Sequence, residues 1–183
     1  MDRLMIFIDA EYVINSVKNL RDAPRKLGMS SIHWQNIINK LAEGKKLIRT
    51  YYYTAKLDEN ENPETYARQE EYLRSLKHEI PFLEIKLGRL IRSGNSWVQK
   101  GIDVKISLDM VIKAFRDHYD VAALIAGDSD FIDLIREVKD KYGKQVLLIT
   151  FDRTDASLNE ELLLEADWYY YIDYETGREY GFW

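Results

Sequence analysis

Short apolar runs alternate along this chain with stretches in which apolar residues return at helical spacing. Six runs of apolar, β-branched or aromatic residues read as strands: Leu4–Ile8, Leu47–Tyr53, Phe82–Leu87, Val121–Ala126, Gln145–Thr150 and Trp168–Ile172. Helices are expected between them, near 11–20, 31–43, 61–79, 103–118, 129–142 and 155–166. In the fourth helix Val104, Leu108, Val111, Ile112 and Phe115 make one apolar stripe. "KDKYGK" reads as a helix stop, with Gly143 after basic residues. Strands alternating with helices predict βαβ units and a mostly parallel sheet. Uninterrupted apolar strands such as "LMIFI" and "VAALIA" fit a sheet covered on both faces. The expectation is an α/β, Rossmann-like three-layer sandwich of strand order 3-2-1-4-5 plus a C-terminal strand.

Two of these strands end in acid. "LMIFIDAE" ends at Asp9, and "ALIAGDSDF" runs into Asp128, Ser129 and Asp130. Parallel α/β sheets bind ligands beyond the carboxyl ends of their strands, where the strand order reverses. In the expected order these two strands are neighbours there, so Asp9 and Asp128 should meet from about 120 residues apart. A third acid, Asp103, follows Gly101 at the start of the next helix. Asp109 lies six residues on, roughly 240° around a helix, and is expected to pair with Lys113 at i+4 instead. Each acid could simply cap a helix or close a turn. Together, carboxylates converging without Cys or His would suit a hard cation, Mg²⁺ or Mn²⁺. The matching chemistry is metal-assisted phosphodiester hydrolysis.

The 183 residues suit one domain, 1–183, with an aromatic tail from about 173. With no Cys, disulfides and thiolate chemistry are excluded. No apolar stretch approaches the ~20 residues that span a bilayer, and the N-terminus does not read as a signal peptide. A cytoplasmic protein with no membrane partner is expected. The net charge of −5 argues against a nonspecific polyanion binder. Yet Lys86 to Ile102 holds four basic residues and no acid, read here as a solvated loop or as a contact for an anionic chain. From Trp168 to Trp183 there are eight aromatics in 16 residues, fitting a last strand and a docked tail, with a dimer contact or base-stacking surface as alternatives. Tyr53 and Lys56 could line the mouth of the site.

"KGIDVKISLDMVIKAFRDHYDVAALIAGDSDFIDLIREVKDKYGKQVLLIT" resembles the second half of the NYN domain, the LabA-like branch of the PIN-type nucleases. "LMIFIDAEYV", "IRTYYYTAK", "FLEIKLGRLIR" and "SLNEELLLEADWYYYID" resemble its other pieces in order, so the likeness covers nearly the whole chain. It implies a PIN-like fold, an Mg²⁺- or Mn²⁺-dependent acidic site and RNA as substrate and partner. Carried over by position, the catalytic acids are Asp9, Asp103, Asp128 and Asp130, with Asp9, Asp103 and Asp128 on the metal. Arg89, Arg92 and Lys100 would draw in the phosphate backbone, with Ser129, Tyr12 and Asn15 beside the acids. One departure stands out: the family's Asp-Gly-x-Asn reads Asp9-Ala10-Glu11-Tyr12 here. A metal-dependent ribonuclease is the leading expectation. A catalytically weak or inactive RNA-binding module of the same fold is the alternative, and a homodimer is a further possibility. A phosphatase using Asp9 as nucleophile fits less well, because the second Asp of such sites is missing.

Overall fold

The computed structural model describes residues 1–93, 96–157 and 159–183, and the side chains of 91–99 fall outside the description. The order is β1 (Arg3–Asp9), α1 (Ala10–Lys18), α2 (Trp34–Ala42), β2 (Lys46–Lys56), α3 (Pro63–Glu79), β3 (Leu83–Ser93), β4 (Ser96–Lys100), α4 (Ile102–Phe115), β5 (Val121–Ile125), α5 (Ile132–Tyr142), β6 (Gln145–Phe151), α6 (Glu160–Glu165), β7 (Trp168–Ile172) and α7 (Tyr174–Glu179). The sheet runs β4-β3-β2-β1-β5-β6-β7. Every pairing is parallel except that of β3 with β4. The six expected strands thus stand in the order 3-2-1-4-5-6, as their pattern predicted.

Right-handed crossovers make the order reversal between β1 and β5 consequential. Chain leaving β1 on one side of the reversal and β5 on the other must cover opposite faces. One core packs Val13 and Val17 of α1, Trp34 and Ile38 of α2 and Leu76 of α3 on the sheet. The other packs Ile106 and Met110 of α4, Ile135 and Val138 of α5 and Leu162 of α6. β5, sandwiched between them, is buried at all its positions. The reversal leaves a cleft at the carboxyl ends of β1, β5 and β6.

Three features differ from the pattern reading. The basic stretch from Lys86 holds the end of β3 and the antiparallel strand β4, with Arg89 opposite Lys100 and Arg92 opposite Trp97. Strand β4 is an edge, where charged side chains cost little and discourage further pairing. Most of the apolar stripe on α4 faces outward: Val104, Leu108, Ile112 and Phe115 are exposed, Val111 packs partly on the core, and the buried positions are Ile102, Ile106, Met110 and Ala114. Helix α4 is apolar on two sides, and periodicity cannot say which side meets the sheet. Tyr53 does not reach a cavity mouth. It is fully buried, and its hydroxyl donates to Asp109 Oδ2 at 2.8 Å. Lys113 pairs with the other oxygen of Asp109 at 2.7 Å, as its spacing suggested.

The aromatic end docks onto the body. Phe182 is buried in the core with α1 and α2, and its carbonyl accepts the N–H of His33 at 2.8 Å. Trp183 lies on Gly177 of α7, a helix the pattern did not show, with its indole N–H donating to the Tyr174 carbonyl at 3.2 Å. A Cβ at Gly177 would stand 2.6 Å from Trp183 Cε2 and closer still to two other ring atoms. Gly177→Ala should therefore expel the indole and cost about 1–3 kcal/mol, the usual scale of overpacking. Denaturant melts and Trp fluorescence would read the loss, and wild-type values for both would contradict this packing. Trp168, Tyr169 and Tyr171 stay exposed on the edge strand β7. Pairing of two copies of the chain finds no support here. Among the described residues, no helix is long and apolar enough to cross a membrane.

Candidate active site

The cleft, about 440 Å³, is lined by Asp9, Glu11, Tyr12, Asn15, Asp103, Gly127, Asp128, Thr150 and Arg153, among others. Four acids share it: Asp9, Glu11 of α1, Asp103 and Asp128, and the three aspartates come from three separate elements. Asp9 ends β1 and caps α1, accepting the Tyr12 N–H at 3.1 Å. Asp128 follows β5 and accepts the Asp130 N–H at 2.9 Å, capping the short 3-10 turn Ser129–Phe131 that opens α5. Asp103 lies in the first turn of α4 without capping it; that cap is Gly101, in the left-handed conformation at φ 81°. The capping role foreseen for strand-end acids is therefore real for Asp9 and Asp128. A carboxylate that caps with one oxygen still carries its full charge into the cleft.

That charge has no described basic partner. Arg153, the cation that also lines the cleft, is ion-paired with Asp155. Burial, followed by the charges of Asp103 and Glu11, pushes the Asp9 carboxyl up to about 6. Asp103, though its tip reaches solvent, is also raised, by partial burial and then by Asp128 and Asp130. Carboxylates that raise each other's proton affinity form a site that favours a cation.

The remaining expected residues divide. Tyr12 and Asn15 line this cleft. Ser129 lines an adjoining hollow with Asp128, Ser157 and Asn159. Asp130 is exposed and lines neither, although its charge reaches Asp103. Arg89 lines a different hollow with Lys56 and Tyr66. Lys100 is exposed at the end of β4. The Arg92 side chain lies outside the described residues.

Tyr12 occupies the floor of the cleft. Its ring lies against Gly127, the second residue beyond β5, so closely that a Cβ there would fall 2.7 Å from Cζ and 2.8 Å from the hydroxyl. The hydroxyl accepts the Phe151 N–H at 3.2 Å, tying α1 to the tip of β6. The ring is tilted on Phe151 at 5.9 Å, and the Arg153 guanidinium stands 5.8 Å from its centroid. Gly127, Thr150 and Arg153 were not picked out from the sequence. "LLITFDR" carries a charged residue just past a strand end, the same signal that marked Asp128.

The family model of the NYN domain matches residues 3–175, nearly the whole chain. The chain belongs to the NYN domain family. NYN domains are part of the PIN-like nuclease superfamily; NYN nucleases act on RNA, and NYN and PIN-like nucleases generally use divalent metal ions. A crystal structure of a protein of unknown function from Vibrio parahaemolyticus has the same fold, with TM-score 0.68 over 95% of this chain and 94% of that one, at 20% identity. No protein of curated function matches this NYN domain in sequence.

Does the cleft of this NYN domain suit such an ion? The donors do: hard carboxylate oxygens, charged, mutually repelling and without described basic partners. Their spacing is open. Among the described residues no three acid or His side chains are gathered closely enough to ligate one ion. An ion here would be held by Asp9, Asp103 and Asp128, either directly after the side chains draw in or through water.

Proposed function

We propose that this NYN domain is a ribonuclease that hydrolyses RNA phosphodiesters with Mg²⁺ or Mn²⁺ held by Asp9, Asp103 and Asp128. The observation that carries the reading is the convergence of these acids from β1, α4 and β5 on one cleft with no described basic partner. When bound, the ion would activate a water and polarise the scissile phosphate. Asp9 and Asp128, fixed by their caps, hold their places in the cleft without a cation. Asp130, at the rim, adds negative charge that Asp103 feels.

Phosphate backbone contact is available nearby. Lys56 pairs in register with Arg89, and Arg89 with Lys100, so three exposed cations lie side by side across β2, β3 and β4. Like charges directly opposite each other destabilise a sheet, and a bound polyanion removes that cost. Lys100 lies three residues before Asp103 in the chain, which links this row to the cleft.

The test is incubation of purified protein with varied RNAs and Mn²⁺. Cleavage is expected, to be abolished by EDTA and crippled by Asp128→Asn. Intact RNAs across Mg²⁺ and Mn²⁺ would refute the reading. Two observations favour a second one, RNA binding without turnover: the open spacing of the acids and the Tyr12 ring on the cleft floor. Salt-sensitive, metal-independent RNA binding that survives Asp9→Asn would select it.

A further inference from the structure

We propose that Arg153 is the phosphate-gripping residue of the cleft and that Asp155 holds it in competition with substrate; this rests on the RNA-directed reading above. Among the described residues lining the cleft, Arg153 is the one cation. It sits just past β6, two strands from Asp9 at the end of β1, a separation of roughly 10 Å at the usual strand spacing. Asp128, after β5, stands one strand from the guanidinium and Asp9 two, so the cation lies on the β6 side of the acids. A cation held by the acids with a phosphate oxygen gripped beside it is the charge order that a metal-dependent phosphodiesterase needs.

The guanidinium is prepared for such a ligand. Nε donates to Asp155 Oδ1 at 2.8 Å and Nη2 to Asp155 Oδ2 at 2.7 Å, the fork that also fits a phosphate. Nη1 makes no hydrogen bond to a described residue and is available without breaking that fork. The Arg153 side chain is only 18% exposed, packed beside the Tyr12 ring, so little side-chain freedom remains to be lost on binding. Its backbone is anchored too, bridged to Leu20 and accepting from Arg21 Nη2 at 2.9 Å. Asp155 can also accept from Asn19 Nδ2, at 3.3 Å, and so keeps a partner when the guanidinium turns away.

A second, independent observation points to a ligand in this half of the cleft. Thr150, three residues before Arg153, lines the cleft and is 5% exposed, yet its hydroxyl has no hydrogen-bond partner among the described residues. Buried hydroxyls are rarely left without one. A phosphate oxygen or ribose hydroxyl seated beside Arg153 would supply it.

The experiment measures binding of a fluorescein-labelled oligouridylate of about ten nucleotides across a salt series, in EDTA, so that cleavage plays no part. In Arg153→Gln, binding should weaken about tenfold, and the slope of log K against log salt should fall by about 0.7, the loss of one single-strand phosphate contact. Arg153→Lys should keep the slope but recover only part of the affinity, because an ammonium cannot form the fork. Asp155→Asn removes the competing carboxylate and should tighten binding several-fold. Wild-type slope and affinity in Arg153→Gln would overturn the assignment while leaving the ribonuclease reading intact. Should both Arg153 variants misfold, Asp155→Asn decides: unchanged or weaker binding in it overturns the assignment. Failure of the wild-type protein to bind RNA in EDTA would overturn this inference, and Mn²⁺-dependent cleavage then tests the ribonuclease reading separately.

Discussion

Asp9→Asn is expected to reduce metal-stimulated RNA cleavage by about two orders of magnitude while leaving the fold intact. A loss of that size corresponds to about 2.7 kcal/mol of transition-state stabilisation, within what a catalytic cation supplies. The fold should survive because Asn is as good a helix cap as Asp, and its side-chain oxygen can still take the Tyr12 N–H. The same variant has a signature in stability. In the metal-free protein the Asp9 carboxyl is pushed up to about 6, by burial and then by neighbouring carboxylates. An unfolded Asp titrates near 3.9. The folded state therefore binds this proton more tightly than the unfolded state does. The resulting stabilisation is complete below about pH 4 and is lost as the pH rises through about 6. The melting temperature of metal-free wild-type protein should climb between pH 7 and pH 5, and that of Asp9→Asn should climb less. At neutral pH, Mg²⁺ or Mn²⁺ should stabilise the wild type and not the variant. Identical pH profiles in the two proteins would show that Asp9 is not the titrating group, and full activity in the variant would remove it from the site.

Gly127→Ala should destabilise the protein by about 1–3 kcal/mol and lower RNA binding or cleavage with it. The reason is local. Gly127 lies just past the end of strand β5, and the Tyr12 ring occupies the space that a side chain would need. Adding a methyl must displace either the ring, which breaks its hydrogen bond to Phe151, or the strand end, which carries Asp128. Tyr12→Asn empties that space. The double variant Tyr12→Asn, Gly127→Ala should then be more stable than the sum of the two single effects implies, by a coupling of about 1 kcal/mol or more. Strict additivity in denaturant melts would mean that the two residues do not contend for the same volume. Tyr12→Asn alone also separates the two functional readings. A gain in cleavage would identify the ring as a brake on the acids, and binding without cleavage would favour the non-catalytic module.

Much of the site could be read from the chain, for a physical reason. Acids that interrupt an apolar run mark a strand end, and the expected strand order brings two such ends together. That logic located Asp9 and Asp128, and Gly101 before a helical pattern located Asp103. In "LLITFDR" the same logic points first to Asp152, which pairs with Arg21, whereas it is the following residue, Arg153, that lines the cleft. What escaped depends on contacts between distant segments. Val104, Leu108, Ile112 and Phe115 recur at helical spacing as well as Ile102, Ile106, Met110 and Ala114 do, and the sheet covers the second set. Tyr53 looked available to a cavity, but its hydroxyl is taken by Asp109 on α4. Phe82–Leu87 announced β3, but its extension to Ser93 and the antiparallel strand Ser96–Lys100 mix basic, polar and apolar residues without a clean alternation, so the pattern did not show them.

By itself, the sequence determined six of the seven strands and the acids at the tips of two of them, because burial on both faces and strand-end polarity are written as local pattern. The tertiary structure alone decided what surrounds those acids. Tyr12 meets Gly127, Arg153 meets Asp155, and the Thr150 hydroxyl is left without a described partner, all at the junction of β1, β5 and β6. These contacts join residues on separate elements or settle which way a side chain turns. Such choices follow from close packing of the whole chain, which no short stretch of it encodes.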